Sequence, residues 1–149
     1  MLEVALTTVL PQAAESWFDD VVRQREAQVL RTAYRILGNW PDAEDAAQDV
    51  FVRLHRHGRG FANEAAVGAW LYRVTVNLCL DRAREARPWQ PLPELPHADP
   101  SAEAEVIREE QKRNLMKALA RLPVKERAAV VLREIEGLAT AEVARILGS

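Results

Sequence analysis

The stretch AWLYRVTVNLCLDRAR, residues 69–84, decides how the chain is read. At 100° per residue Leu71, Val74 and Leu78 fall on one helical face together with Val67, and the pattern predicts a helix over 65–87. Arg73, Asn77 and Arg84 lie within about 40° of one another on a different face, next to Trp70. Arginine brings a fixed charge and a planar donor fork that fits phosphate. Asparagine can pair with a base edge, and an aromatic ring offers a stacking platform. The loop before the helix, HGRGFANEA (57–65), repeats this chemistry in Arg59, Phe61 and Asn63. The plainer alternative is that Trp70 belongs to the core and the arginines are merely solvated.

Two further helices are predicted ahead of this one. Over 16–37, Phe18, Val21, Val22, Val29, Ala33 and Ile36 share a face, and Leu30, Tyr34 and Leu37 form a second stripe, so the helix is expected to be buried on two sides. Gly38 and Asn39 tolerate positive φ and stop it. Pro41 suits the first turn of the next helix, where Asp42, Glu44 and Asp45 favour its positive end. That helix turns Ala43, Ala46, Ala47, Val50 and Leu54 inward. Asp45, Gln48, Asp49 and Val52 point away from this face: three acceptors around an exposed valine, either a solvated face or a docking surface for a basic partner.

Downstream, Pro88, Pro91, Pro93, Pro96 and Pro100 exclude helix and central strand and mark an extended acidic linker. Helices are predicted again near 103–121, 124–136 and 139–147. Pro123 fits a helix start and Gly137 a C-terminal cap. Val143, Ile146 and Leu147 form the last apolar face, and a helix followed by Gly148 looks like half of a helix-turn-helix. The fold class expected is all-α: two small helical domains over 15–87 and 103–149, joined by the linker 88–102 and preceded by an extension over 1–14.

Composition agrees with a folded, soluble chain. Of 149 residues 48% are apolar and 28% charged, and no apolar run approaches the roughly 18 residues of a membrane span. The start, MLEVALTTVLPQAA, lacks the basic beginning and continuous apolar core of a signal peptide. A single cysteine excludes an internal disulfide and suits a reducing cytoplasm. The net charge of −2 argues against a nucleic-acid binder only until it is resolved along the chain. Residues 15–52 carry −4, 53–87 carry +4, 88–110 carry −5 and 111–149 carry +4. With a Debye length of about 8 Å, a partner feels the nearest block and not the total.

Signals for catalysis are weak. His55 and His57 do not share a helix face, and HExxH, CxxC, a Gly-rich phosphate loop and GxSxG are all missing. Cys79 is placed on a mostly non-core face, where a reactive thiol has no supporting neighbour. The carboxylates of 42–49 could serve a metal-dependent hydrolase, yet their place at a helix start explains them more cheaply. No catalytic residue, metal or cofactor is expected.

Three stretches together resemble the extracytoplasmic-function sigma factors, the smallest type of the sigma-70 family. DAEDAAQDVFVRLHR (42–56) resembles region 2.2, AWLYRVTVNLCLDRAR (69–84) regions 2.3 and 2.4, and LPVKERAAVVLREIEGLATAEVARILG (122–148) regions 4.1 and 4.2. The resemblance implies a cytoplasmic transcription initiation factor that binds core RNA polymerase and promoter DNA, at the β′ clamp helices through Asp45, Gln48, Asp49 and Val52 and also at the β flap. It implies that Arg59, Phe61, Asn63, Trp70, Arg73, Asn77 and Arg84 open and read the −10 element, with a base flipped into the loop. It implies a linker that threads the polymerase cleft, and an anti-sigma partner over the same surfaces. Two departures stand out. Ala139 occupies a place where the family has a capping Ser or Thr, leaving Thr140 as the neighbour able to take over. The sequence given stops at Ser149, before the expected recognition helix, so weak −35 reading is expected and truncation of a longer protein is the simplest account. The rival from a different class is a helical adaptor that binds a protein partner through the acidic face and never touches DNA.

Overall fold

The computed structural model describes residues 2–83 and 102–148, the side chains of 2–15 and 102 excepted. All its elements are helical: α1 (Leu2–Leu37), α2 (Trp40–His57), α3 (Glu64–Arg82), α4 (Ala102–Ala120), α5 (Val124–Val130), which runs into a π turn (Val131–Ile135), and α6 (Thr140–Leu147). Helix α1 exceeds the expected span. It continues back to Leu2 through Pro11, a residue that lacks the N–H of a helix interior, so the residues expected as an N-terminal extension are helical.

The turn between α1 and α2 forms as the sequence implies. Gly38 takes φ +69° and donates its N–H to the Tyr34 carbonyl at 2.7 Å. Asn39 caps α2, its Oδ1 accepting from the Asp42 N–H at 3.0 Å, and Pro41 sits in the first turn. Capping of this kind stabilises a helix by about 1 kcal/mol. Helix α6 has no such cap: Ala139 offers no side-chain acceptor, and the Thr140 hydroxyl accepts from Arg133 Nε at 3.2 Å instead of replacing it.

Helices α1, α2 and α3 enclose a first core of Val21, Val29, Val50, Leu54, Val67 and Leu71. A second core joins the other side of these helices to the C-terminal half. Ile36, Ala43, Val76 and Cys79 meet Leu119, Ala128, Val131, Leu132, Val143 and Ile146 in one buried cluster. Burying each of the larger side chains stabilises by about 1.5–3 kcal/mol.

Two polar knots close this seam. The Glu136 carboxylate accepts from the Thr32 hydroxyl (3.0 Å), Arg35 Nη1 (3.4 Å) and the Tyr72 hydroxyl (3.0 Å), so α1 and α3 converge on the residue that follows the π turn. Arg127 donates to the carbonyls of Leu119 (2.8 Å), Leu122 (2.9 Å) and Ile36, tying the ends of α1 and α4 together. Burial draws the Arg127 guanidinium below its ordinary pKa. It does the same to Arg35, against the opposing pull of Glu136. Burial first, and Glu136 second, push the Tyr72 phenol up to about 12.

Candidate nucleic-acid interface

Helix α3 begins at Asn63, whose Oδ1 accepts from the Ala66 N–H at 2.9 Å. Its acceptor is therefore engaged in capping, and the amide hydrogens are what Asn63 can offer a ligand. Further along the helix and one turn apart, Arg73 and Asn77 are both exposed and stand on one face beside half-buried Trp70. Arg84 lies outside the described residues.

The loop ahead of α3 leaves α2 at Gly58, which adopts φ +78° and donates to the Leu54 carbonyl at 3.0 Å. A tight turn follows, with the Phe61 N–H donating to the Arg59 carbonyl at 2.7 Å. Arg59 is exposed; Phe61 is half-buried and surrounded by rings. Its centroid lies 4.4 Å from His57 at 22° between planes, 6.2 Å from Trp17 at 29°, and 5.8 Å from Trp70 at 75°. His57 and Trp70 are 5.3 Å apart. Four elements thus meet in one aromatic cluster: α1, α2, the loop and α3. Sequence reasoning named Phe61 and Trp70 but missed Trp17 and His57. The available signal was an aromatic residue flanking each end of the predicted loop and core stripe, which periodicity alone does not bring together.

On α2, Asp45, Gln48 and Val52 are exposed as expected, Val52 by 42%. Asp49 is engaged differently: its carboxylate accepts from Arg82 Nη2 at 2.8 Å and links α2 to α3. Beside Gln48 and Val52 opens a hollow of about 410 Å³, lined mainly by Phe18, Val22, Phe51 and His55. Phe18 meets the His55 ring edge-on at 5.1 Å. The α2 face therefore combines acceptors with an apolar recess, which the sequence showed only as one valine.

Cys79 corrects an expectation. It is fully buried, and desolvation pushes its thiol up to about 12. Its face of α3 is core because the helix packs on more than one side. Among the described residues no three His, Cys, Asp or Glu side chains converge as metal ligands, and no helix is long and apolar enough to cross a membrane.

Comparison with known proteins matches residues 21–88 to "Sigma-70 region 2" and residues 112–149 to "Sigma-70, region 4". "RNA polymerase sigma-E factor" of Streptomyces avermitilis is 33% identical over 131 residues, which cover 88% of this chain and 73% of that one. The chain belongs to the extracytoplasmic-function (ECF) sigma factors. Its ECF relatives include SigM of Mycobacterium tuberculosis, 41% identical over 134 residues, and SigE of Mycolicibacterium smegmatis, 41% over 143. These alignments cover 88% and 92% of this chain but 66% and 55% of the relatives, so the chain spans about two thirds of the one and just over half of the other. Among solved structures, "Structure of CnrH in complex with the cytosolic domain of CnrY" matches with a TM-score of 0.62 at 25% identity, covering 93% of this chain and 79% of that one. The region 2 segment of this ECF chain holds the acidic face, the Arg73–Asn77 ridge and, except for Trp17, the aromatic cluster. The region 4 segment holds Arg127, Glu136 and α6.

Proposed function

We propose that the chain acts as a bacterial transcription initiation factor that joins core RNA polymerase and holds the opened −10 strand of a promoter. The observation that carries this reading is the placement of two differently built, solvent-facing surfaces on one three-helix body. Asp45, Gln48 and Val52 beside the apolar recess suit a basic partner with an apolar contact, the β′ clamp helices of the polymerase. Asp49, through Arg82, links α2 to α3 between the two surfaces. Arg59 and Arg73 supply charge for phosphates, Asn77 and the Asn63 amide hydrogens supply base-edge donors, and the aromatic cluster supplies stacking. Extruding a base costs about a few kcal/mol, which stacking at about 1–3 kcal/mol per base can return.

The C-terminal half carries the region 4 match and, on this reading, contributes the β-flap contact. The chain works in the cytoplasm, and its likeness to a structure of CnrH bound to CnrY supports an anti-sigma partner over the same surfaces. Nothing in the reaction is catalysed by the chain itself.

The test is association with purified bacterial core enzyme, followed by promoter opening. The full chain should be retained by core enzyme in a pull-down, and Asp45→Arg should lower retention at least tenfold. Asn77→Ala combined with Arg84→Ala should leave retention intact and abolish opening. Absence of retention by the unaltered chain would overturn the proposal, and an unchanged opening by the double variant would favour the adaptor.

A further inference from the structure

His57 ends α2 and is exposed, yet its ring does not point into solvent alone. It lies nearly parallel to the Phe61 ring at a centroid distance of 4.4 Å, and its Nδ1 is 3.1 Å from the Gly58 carbonyl, which accepts its hydrogen. A flat heteroaromatic ring with a polar edge, stacked on Phe61, is the arrangement an unpaired nucleobase would adopt there. The remaining neighbours of Phe61 are set differently. Trp17 and Trp70 are half-buried and belong to the packing of the first core, so they cannot leave without opening it. His57 is exposed and is held by one hydrogen bond to the adjoining residue and by its contacts with Phe61 and Trp70, so the imidazole can swing into solvent without opening the core.

We infer that His57 is a placeholder: it occupies the Phe61 stacking position in the free protein and is displaced by an unpaired base of the opened strand. The inference rests on the promoter-strand reading given above. It adds a built-in competitor that restrains capture of unpaired DNA until the base to be held outcompetes the imidazole. Exposed Arg56 and Arg59 flank the loop, and their charge suits the phosphates on either side of such a base.

A placeholder and a structural clamp predict opposite results when His57 is removed. The experiment uses holoenzyme assembled from purified core polymerase and the full chain, with a short mixed-sequence single strand carrying 2-aminopurine as the probe. Core enzyme alone is the background, and quenching of the probe reports stacking. His57→Ala should tighten binding about threefold to tenfold, the range expected when one aromatic pair no longer competes. His57→Phe, a stronger stacker on Phe61, should loosen it about threefold, and Phe61→Ala should lose about tenfold and the quenching. Opposite movement of the two His57 variants, with unchanged retention by core enzyme, supports the placeholder. Weaker or unchanged binding by His57→Ala overturns it while leaving the proposed function standing. Wild-type holoenzyme that forms but captures no single strand above background would overturn both.

Discussion

The two long sides of α3 serve opposite ends. On one side Arg73 and Asn77 stand exposed beside Trp70. On the other, Tyr72, Val76 and Cys79 are pressed into the seam with the C-terminal half, where Tyr72 donates to Glu136. Polar groups in the seam have their partners inside the protein, among them three donors for Glu136 and three carbonyls for Arg127. Removing one partner of a buried set leaves the others unsatisfied and costs stability. The ridge residues face water, so their removal should cost stability little and function much. A single helix thus separates what holds the molecule closed from what is available to a ligand.

The sharpest way to break this division is Arg127→Ala. Three carbonyls at the ends of α1 and α4 would lose their donor, and the expected loss is about 3 kcal/mol. For a chain of this size that lowers Tm by roughly 10 °C in a thermal melt. A change under about 0.5 kcal/mol would show that the seam contributes no stability. Glu136→Gln comes next. It keeps one acceptor but removes the charge that holds Thr32, Arg35 and Tyr72, at about 1–2 kcal/mol by denaturant titration.

Tyr72→Phe should act more weakly near neutral pH and reveal itself by pH dependence. The folded protein raises the phenol to about 12, above its ordinary value near 10. The protonated phenol is thus favoured by folding, and its contribution is complete below about pH 10 and lost as pH rises toward 12. The Cys79 thiol, also raised to about 12, adds a loss of the same sign from about pH 9. Tyr72→Phe should therefore flatten the alkaline fall in stability without abolishing it, and an unchanged slope would contradict a phenol raised by burial and Glu136. The smallest stability effect is expected on the ridge itself: Arg73→Ala with Asn77→Ala should stay within about 0.5 kcal/mol.

How far the sequence could be read follows the same division. Periodicity placed α2 and the inner face of α3, and Gly38, Asn39 and Pro41 announced the α1–α2 turn, because these features are settled by local conformation and by one solvent boundary. The ridge was legible because Arg73 and Asn77 lie off the apolar stripe of α3, and both are exposed. The seam was not. Glu136 and Arg35 are 101 residues apart, and nothing in either segment's spacing says that they meet. Cys79 was misplaced because one buried face was assumed where α3 has more than one; Tyr72, Val76 and Leu80 were the overlooked signal. Asn63 and Asp49 belong to the expected binding residues, and a capping bond and an ion pair with Arg82 engage them as well. Residue type alone does not distinguish a group reserved for a ligand from one reserved for a helix end.

One comparison separates a ridge that holds DNA from one that is merely solvated: retention of mixed-sequence bubble DNA by core enzyme supplied with the unaltered chain or with Arg73→Ala and Asn77→Ala together. Both chains should associate equally with core enzyme, and the unaltered chain should retain the bubble at least tenfold better. Equal retention by the two, or no association of either with core enzyme, would contradict it.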